Sequence, residues 1–242
     1  RDGERLGFPV FPILWKNLAT GEKYDGYKEF GFLSESFINM LVFLGWNPGN
    51  EKEIFDLEEL VQAFSLDRIG KSGAKFDFEK AKWFNQKYVR KLPKDLVVKE
   101  ISDYLTKNNL EFTNDYVEKV YDLFLERVVF IKDFWIEGKY FFEDINEYAF
   151  PLVQKKIKEN SFYHLQTLCK KLKKIENFSS KNVESVFVEV LEDYNLKMSM
   201  LLPIFRFALT NLLYGPSLYS IAEILGKEKT IKRIENFLKE IS

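Results

Sequence analysis

A Gly-Lys-Ser triplet, one histidine, one cysteine and two acidic pairs are the places where this chain could do covalent or metal chemistry. Gly70-Lys71-Ser72 has the ending of a phosphate-binding loop, but such a loop needs another glycine five residues earlier, a strand before it and a helix after it. Position 65 is Ser, and Gly73 interrupts any helix at once. His164 and Cys169 are single representatives of their kinds, too few for a tetrahedral zinc site without added carboxylates, and no Ser-His-Asp order surrounds them. They share one apolar helical pattern, which points to packing. Glu58-Glu59 and Glu143-Asp144 fall at helix starts or loops, where capping and the helix dipole account for them. The expectation is a chain with no catalytic constellation and no metal-ligand set.

What remains is the chemistry of recognition. Leu202 to Asn211 is followed by Tyr214-Gly215-Pro216-Ser217-Leu218-Tyr219. A Gly- and Pro-containing loop between two amphipathic helices leaves backbone groups and Tyr219 free to meet an unpaired base by stacking and edge hydrogen bonds. Arg127 closes the stripe of Tyr116, Val120 and Phe124, where a cation also suits the helix dipole. Asn85, Lys87 and Arg90 accompany Trp83, Phe84 and Tyr88 on one helix. Such a mixture suits an RNA-facing surface, and a helix with one core face and one wet face uses the same residues. Net charge is −1 and the pI is near 6.1, so positive charge for nucleic acid must be gathered on one face. Three clusters offer it: Lys155, Lys156 and Lys158; Lys170, Lys171, Lys173 and Lys174; and Lys227, Lys229, Lys232 and Arg233. Each is also what an ordinary solvated helix face looks like.

These residues must be positioned by helices. Ser34 is a candidate cap for a helix on Phe37, Ile38, Leu41 and Val42, with Gly45 as its left-handed stop. Asp56 and Glu59 have capping-box spacing, and Asp77 caps the helix that carries Trp83 to Arg90. Pro93 marks a boundary, after which two helical stripes are separated by Asn108-Asn109 and capped by Thr113 to Asp115. Further stripes run through Leu165, Leu168 and Leu172, through Val183, Phe187 and Val190, through Met198 to Leu213, and through Ile231, Ile234 and Leu238, with Gly226 as a stop. No fixed-period repeat is present. The fold expected is mostly α: a helical connector over 1–92, then an all-helical cage of two subdomains, 93–149 and 150–242. A hydrophobic content of 46% with 30% charged residues marks a globular chain, the lone cysteine fits a reducing cytoplasm, and no apolar run reaches membrane-spanning length.

The ordered series Tyr27 to Trp46, Glu53-Ile54-Phe55, Leu57-Glu58-Glu59, Asp67-Arg68, Ser72 to Asp77 and Lys82 to Arg90 resembles the segment that follows the class I signature loop in bacterial and organellar glutamyl-tRNA synthetases. Leu202 to Asn211, Pro216 to Tyr219 and Ile224-Leu225-Gly226-Lys227-Glu228 resemble the signature that closes the same family, with Asn211 and Ser217 standing where glycine is usual. The resemblance implies that Arg1 is the last residue of a KMSKR-type loop and that the nucleotide-binding domain with its HIGH motif is not in this segment. The parent enzyme would attach glutamate to tRNA(Glu), with tRNA(Gln) left open as a second substrate, using ATP and Mg²⁺. The segment itself would need no cofactor, would be inactive alone and would be monomeric. The resemblance assigns anticodon binding to Arg127, Arg206, Pro216, Leu218 and Tyr219, and contact with the tRNA stem to Lys71, Lys87, Tyr88 and Arg90. A helical module that binds a protein partner is the reading of a different class, favoured by one contiguous apolar groove.

Overall fold

The computed structural model describes residues 5, 7–70, 73, 75–158 and 160–241; Arg1 and Lys71 lie outside them. Apart from one antiparallel pair, β1 (Trp15–Lys16) with β2 (Lys23–Tyr24), the regular structure among the described residues is helical. Contacts divide the chain into two compact units.

The first unit runs to Ile101 and takes in Leu125–Asp133 as well. Its helices are α1 (Tyr27–Phe30), α2 (Ser34–Phe43), α3 (Leu57–Ala63), α4 (Phe78–Val89) and the first half of α5 (Lys94–Lys107). Asp56 and Glu59 form the reciprocal box, Asp56 accepting from the Glu59 amide at 2.8 Å and Glu59 from the Asp56 amide at 3.0 Å. Asp77 accepts from the amides of Glu79 and Lys80 at 2.9 and 3.1 Å, satisfying donors that the first turn of α4 leaves unpaired. The ends of α2 differ from the expectation. Leu33 is the cap residue and the Ser34 hydroxyl donates to Glu35. At the other end the helix tightens, with the Leu44 and Gly45 amides donating to carbonyls three residues back, so no left-handed glycine is needed.

Helices α2 and α4 pack together around Tyr27, Phe32, Met40, Ala81, Phe84 and Phe130. Two buried asparagines fasten this core to chain segments that have no ladder of their own. Asn39 donates to the Glu53 carbonyl and accepts from the Phe55 amide, at 2.9 and 2.8 Å. Asn85 accepts from the Leu33 amide at 2.8 Å and donates to the Val129 carbonyl at 2.7 Å.

The second unit holds Ser102–Phe124 and the chain from Phe134 onward. After α6 (Asn114–Phe124) come the short helices α7 (Asp133–Ile136), α8 (Lys139–Phe142) and α9 (Phe150–Val153). The long helices follow: α10 (Ser161–Leu172), α11 (Ser180–Asp193), α12 (Met198–Thr210), α13 (Leu218–Leu225) and α14 (Lys227–Ile241). Helix α10 packs on α11, α12 and α14, and α11 packs on α13. Leu165, Leu168, Phe187, Phe205, Phe207 and Phe237 fill the centre. Asn109, Asn195 and Asn211 take positive φ where α5, α11 and α12 stop, doing the work usually given to glycine. The contact division passes through α5 at Ile101, eight residues beyond Pro93, and none falls at residue 149.

Four phenols are held neutral by burial. It pushes the hydroxyls of Tyr27, Tyr88 and Tyr116 up to about 12, and that of Tyr148 higher still. In an unfolded chain these groups ionise near 10. Their contribution to stability is therefore complete below about pH 10 and is lost as the pH rises from about 10 toward 12, because the unfolded chain gives up its protons first. Urea unfolding with tyrosinate absorbance should show a midpoint that falls steeply across that window; a midpoint unchanged across it would contradict these burials.

Candidate nucleic-acid interface

In the second unit the loop singled out by its Gly and Pro is built from the end of α12. The last turn carries Arg206 and stops at Asn211, whose φ is 57°. The Asn211 side chain accepts from the Ala149 amide at 2.9 Å and donates to the Glu147 carbonyl at 3.0 Å. Asparagine thus supplies the left-handed stop and a brace that glycine lacks. The Thr210 hydroxyl lies 2.9 Å from the Arg206 carbonyl and accepts from the Leu212 amide at 3.1 Å.

Gly215, with φ 142°, lies against Arg206: a Cβ there would sit 3.1 Å from Nη1. Only glycine combines that backbone with that approach. Ser217, the other departure from the family's glycines, caps α13 by accepting from the Ser220 amide at 3.4 Å. A cleft of about 390 Å³ opens beside this turn, lined in part by Tyr140, Asn146, Thr210, Asn211 and Leu212.

Pro216 and Leu218 are buried in the loop. Tyr219 differs from its expected role, since its ring packs 5.7 Å from Phe187 and its hydroxyl is buried. It sits one residue inside the start of α13, and burial pushes its phenol up. The aromatic ring of this loop that faces solvent is Tyr214, 62% exposed. Its sequence signal was its place immediately before Gly215, ahead of the helix that packs Tyr219 on Phe187.

Arg233 was grouped with the solvated lysines of α14, and the structure buries it to 4% exposure. Nη1 donates to the Leu209 carbonyl at 2.5 Å, and Nη2 to the carbonyls of Tyr140 and Glu143 at 2.6 and 2.9 Å. Tyr148 adds a hydroxyl 2.8 Å from the Ala208 carbonyl and 3.1 Å from that of Arg233. The guanidinium thereby pins the last turn of α12. The signal was periodic: Thr230, Arg233, Ile234 and Phe237 form the inner stripe of α14.

In the first unit the stem-contact candidates have different fates. Tyr88 is 9% exposed and its hydroxyl donates within the core, where the Phe55 carbonyl and Asn39 Oδ1 are its partners. Burial thus removes it from any RNA-facing surface. Arg90 Nη1 lies 2.6 Å from Glu126 Oε2, and Nη2 donates to the Glu126 carbonyl, so it braces the returning segment. Lys87 holds its ammonium 5.5 Å from the Trp83 ring centroid. Arg127 is exposed. Gly70 donates its amide to the Gly45 carbonyl at 2.7 Å, which takes it away from any phosphate.

Of the lysine clusters, Lys171 is paired with Glu189 and Asp193 and Lys173 with Glu235; Lys155, Lys156, Lys158, Lys170 and Lys174 are exposed. His164 and Cys169 are both buried, which lowers the imidazole pKa and raises that of the thiol. Among the described residues no three His, Cys, Asp or Glu side chains gather around a metal-sized space, and no helix is long and apolar enough to cross a membrane.

Residues 96–238 match the anticodon binding domain family. The chain belongs to that family. The anticodon-binding match covers Arg127, Arg206 and the whole loop to Tyr219, and a second match, to the catalytic domain of class I tRNA synthetases (E and Q), covers residues 16–83 and ends before Lys87. Among curated relatives, the glutamate–tRNA ligase of Christiangramia forsetii is 41% identical over 97% of this chain and 46% of its own length. That of Phocaeicola vulgatus is 42% identical, with the same 97% and 46% covered. A crystal structure of a glutamate tRNA ligase from Elizabethkingia meningosepticum superposes with a TM-score of 0.90 at 33% identity, over 100% of this chain and 48% of that one. The chain spans about half the length of the relatives it matches.

Proposed function

We propose that this anticodon-binding chain recognises tRNA(Glu) on behalf of glutamate–tRNA ligation, and that it reads anticodon bases at the end of α12. The observation that carries the reading is the turn after α12 inside the matched family region, where Gly215 lies against Arg206, Tyr214 exposes its ring, and Thr210, Asn211 and Leu212 line a cleft. A guanidinium can bond a base edge while a tyrosine face stacks on it, and Pro216 and Leu218 hold the turn from within. Lys87 and Arg127 of the first unit are cations suited to phosphate or base contacts. ATP and Mg²⁺ would serve the ligation. The segment itself is read as needing neither. Whether tRNA(Gln) is also accepted depends on how strictly the anticodon is read.

Fluorescence anisotropy with labelled tRNA(Glu) and the same tRNA carrying exchanged anticodon bases tests this. The exchanged form should bind at least about tenfold more weakly, as loss of one good base contact implies. Equal affinities would overturn the reading.

A further inference from the structure

A cleft of about 440 Å³ opens on the second unit between residues 144–148 and one side of α14. Lys229, Lys232, Arg233, Asn236, Lys239 and Glu240 line it from the helix, spaced by three, four, seven and more positions, which keeps them on one broad face. Asp144, Ile145, Asn146 and Tyr148 form the facing wall. Four cations thus meet two carboxylates, an excess of positive charge in a concave site within a chain that is acidic overall.

The excess is not settled internally. Lys229 donates to the Phe141 carbonyl at 3.2 Å and has Asp144 only at 4.0 Å, leaving ammonium donors to spare. Arg233 gives both terminal nitrogens to carbonyls, and its Nε is buried without a hydrogen-bond partner. Burial, with Arg233 and Lys232 close by and only Asp144 opposing, pushes the Lys229 ammonium below its usual pKa. A buried cation beside like charges is stabilised when an anion enters. Lys232 and Lys239 stand exposed at the mouth, where a chain-borne anion can reach them.

We propose that this cleft seats a backbone phosphate of the RNA whose bases are read at the end of α12, an assignment that rests on the function proposed above. Base readout in general is accompanied by phosphate contacts that fix register, and those contacts are sequence-indifferent and salt-dependent. The Asn146 and Asn236 amides can donate to the phosphate oxygens beside the lysines.

The test is a Lys232→Gln/Lys239→Gln double variant, with Lys170→Gln/Lys174→Gln on α10 as a control for loss of two exposed charges. Affinity for tRNA(Glu) and for its anticodon-exchanged form is measured over a salt series. The cleft variant should weaken both tRNAs by the same factor and flatten the slope of log affinity against log salt by roughly 0.7–0.9, the value for one phosphate contact. The control should change the slope less. An unchanged slope in the cleft variant, or one no flatter than the control's, overturns the phosphate seat while leaving anticodon reading intact. Failure of the unsubstituted chain to bind tRNA at all overturns both.

Discussion

Arg233→Met should destabilise the second unit by about 2–4 kcal/mol, because it leaves the carbonyls of Leu209, Tyr140 and Glu143 inside the protein without their donor. Two effects oppose each other. Unsatisfied buried acceptors are penalised by about 1–3 kcal/mol each, whereas removing a buried charge recovers the desolvation it suffered. The first wins, since three acceptors are orphaned at once. Arg233→Lys should recover only part of the loss, because an ammonium is a compact point charge without the planar fork that reaches several carbonyls together. Urea unfolding of the three proteins measures this. A change under about 0.5 kcal/mol in the Met variant, the range of ordinary surface substitutions, would mean that Arg233 is not the brace described.

The second large effect concerns discrimination. Arg206→Ala should weaken binding of tRNA(Glu) by about 1–3 kcal/mol, the scale of one bidentate contact to a base, and should change the anticodon-exchanged tRNA far less. Gly215→Ala should reproduce that loss without touching Arg206 itself. Its backbone at φ 142° is unfavourable for any side chain, and the added Cβ would stand 3.1 Å from Nη1, forcing the guanidinium or the turn to move. Paired titrations of both tRNAs with both variants decide the matter. Equal losses for the two tRNAs would show that Arg206 supports the turn or a phosphate and reads no base.

Much of the local structure was written in short-range signals. The Asp56–Glu59 box, the Asp77 cap and the stops at Asn109 and Gly226 each depend on residues within one turn, so periodicity and capping chemistry suffice to place them. The family, too, was legible, because its strings fall on those same helices and on the loop after α12. The residues whose surroundings the sequence did not announce share a different cause. Tyr88, Arg90, Tyr219 and Arg233 all look like polar or amphipathic surface groups along their own helices. Their partners are Phe55, Glu126, Phe187 and Leu209, 24 to 36 residues away, and nothing local announces them. Arg233 alone left a trace, in the period of the inner stripe of α14. Asn211 shows the converse: a departure from the family's glycine looked like a loss of geometry, yet the structure gives it both the left-handed backbone and two new hydrogen bonds.

Asn85 bonds to Leu33 on one side and to Val129 on the other, so the first unit is closed by a segment that the chain reaches only after travelling through α6. Its boundaries therefore cannot be crossed by a single cut. A recombination joint at Pro93 would leave behind Val128 and Phe130, both buried in the part that stays, and would strand the Asn85 amide. Exchange between relatives has to carry residues 125–133 together with the first hundred, or fail as a fold. A joint after Asp133 would keep the first unit whole but part Ser102–Phe124 from the rest of the second, so the interleaving leaves no single joint between residues 93 and 133 that respects both units, and the two are inherited as one block.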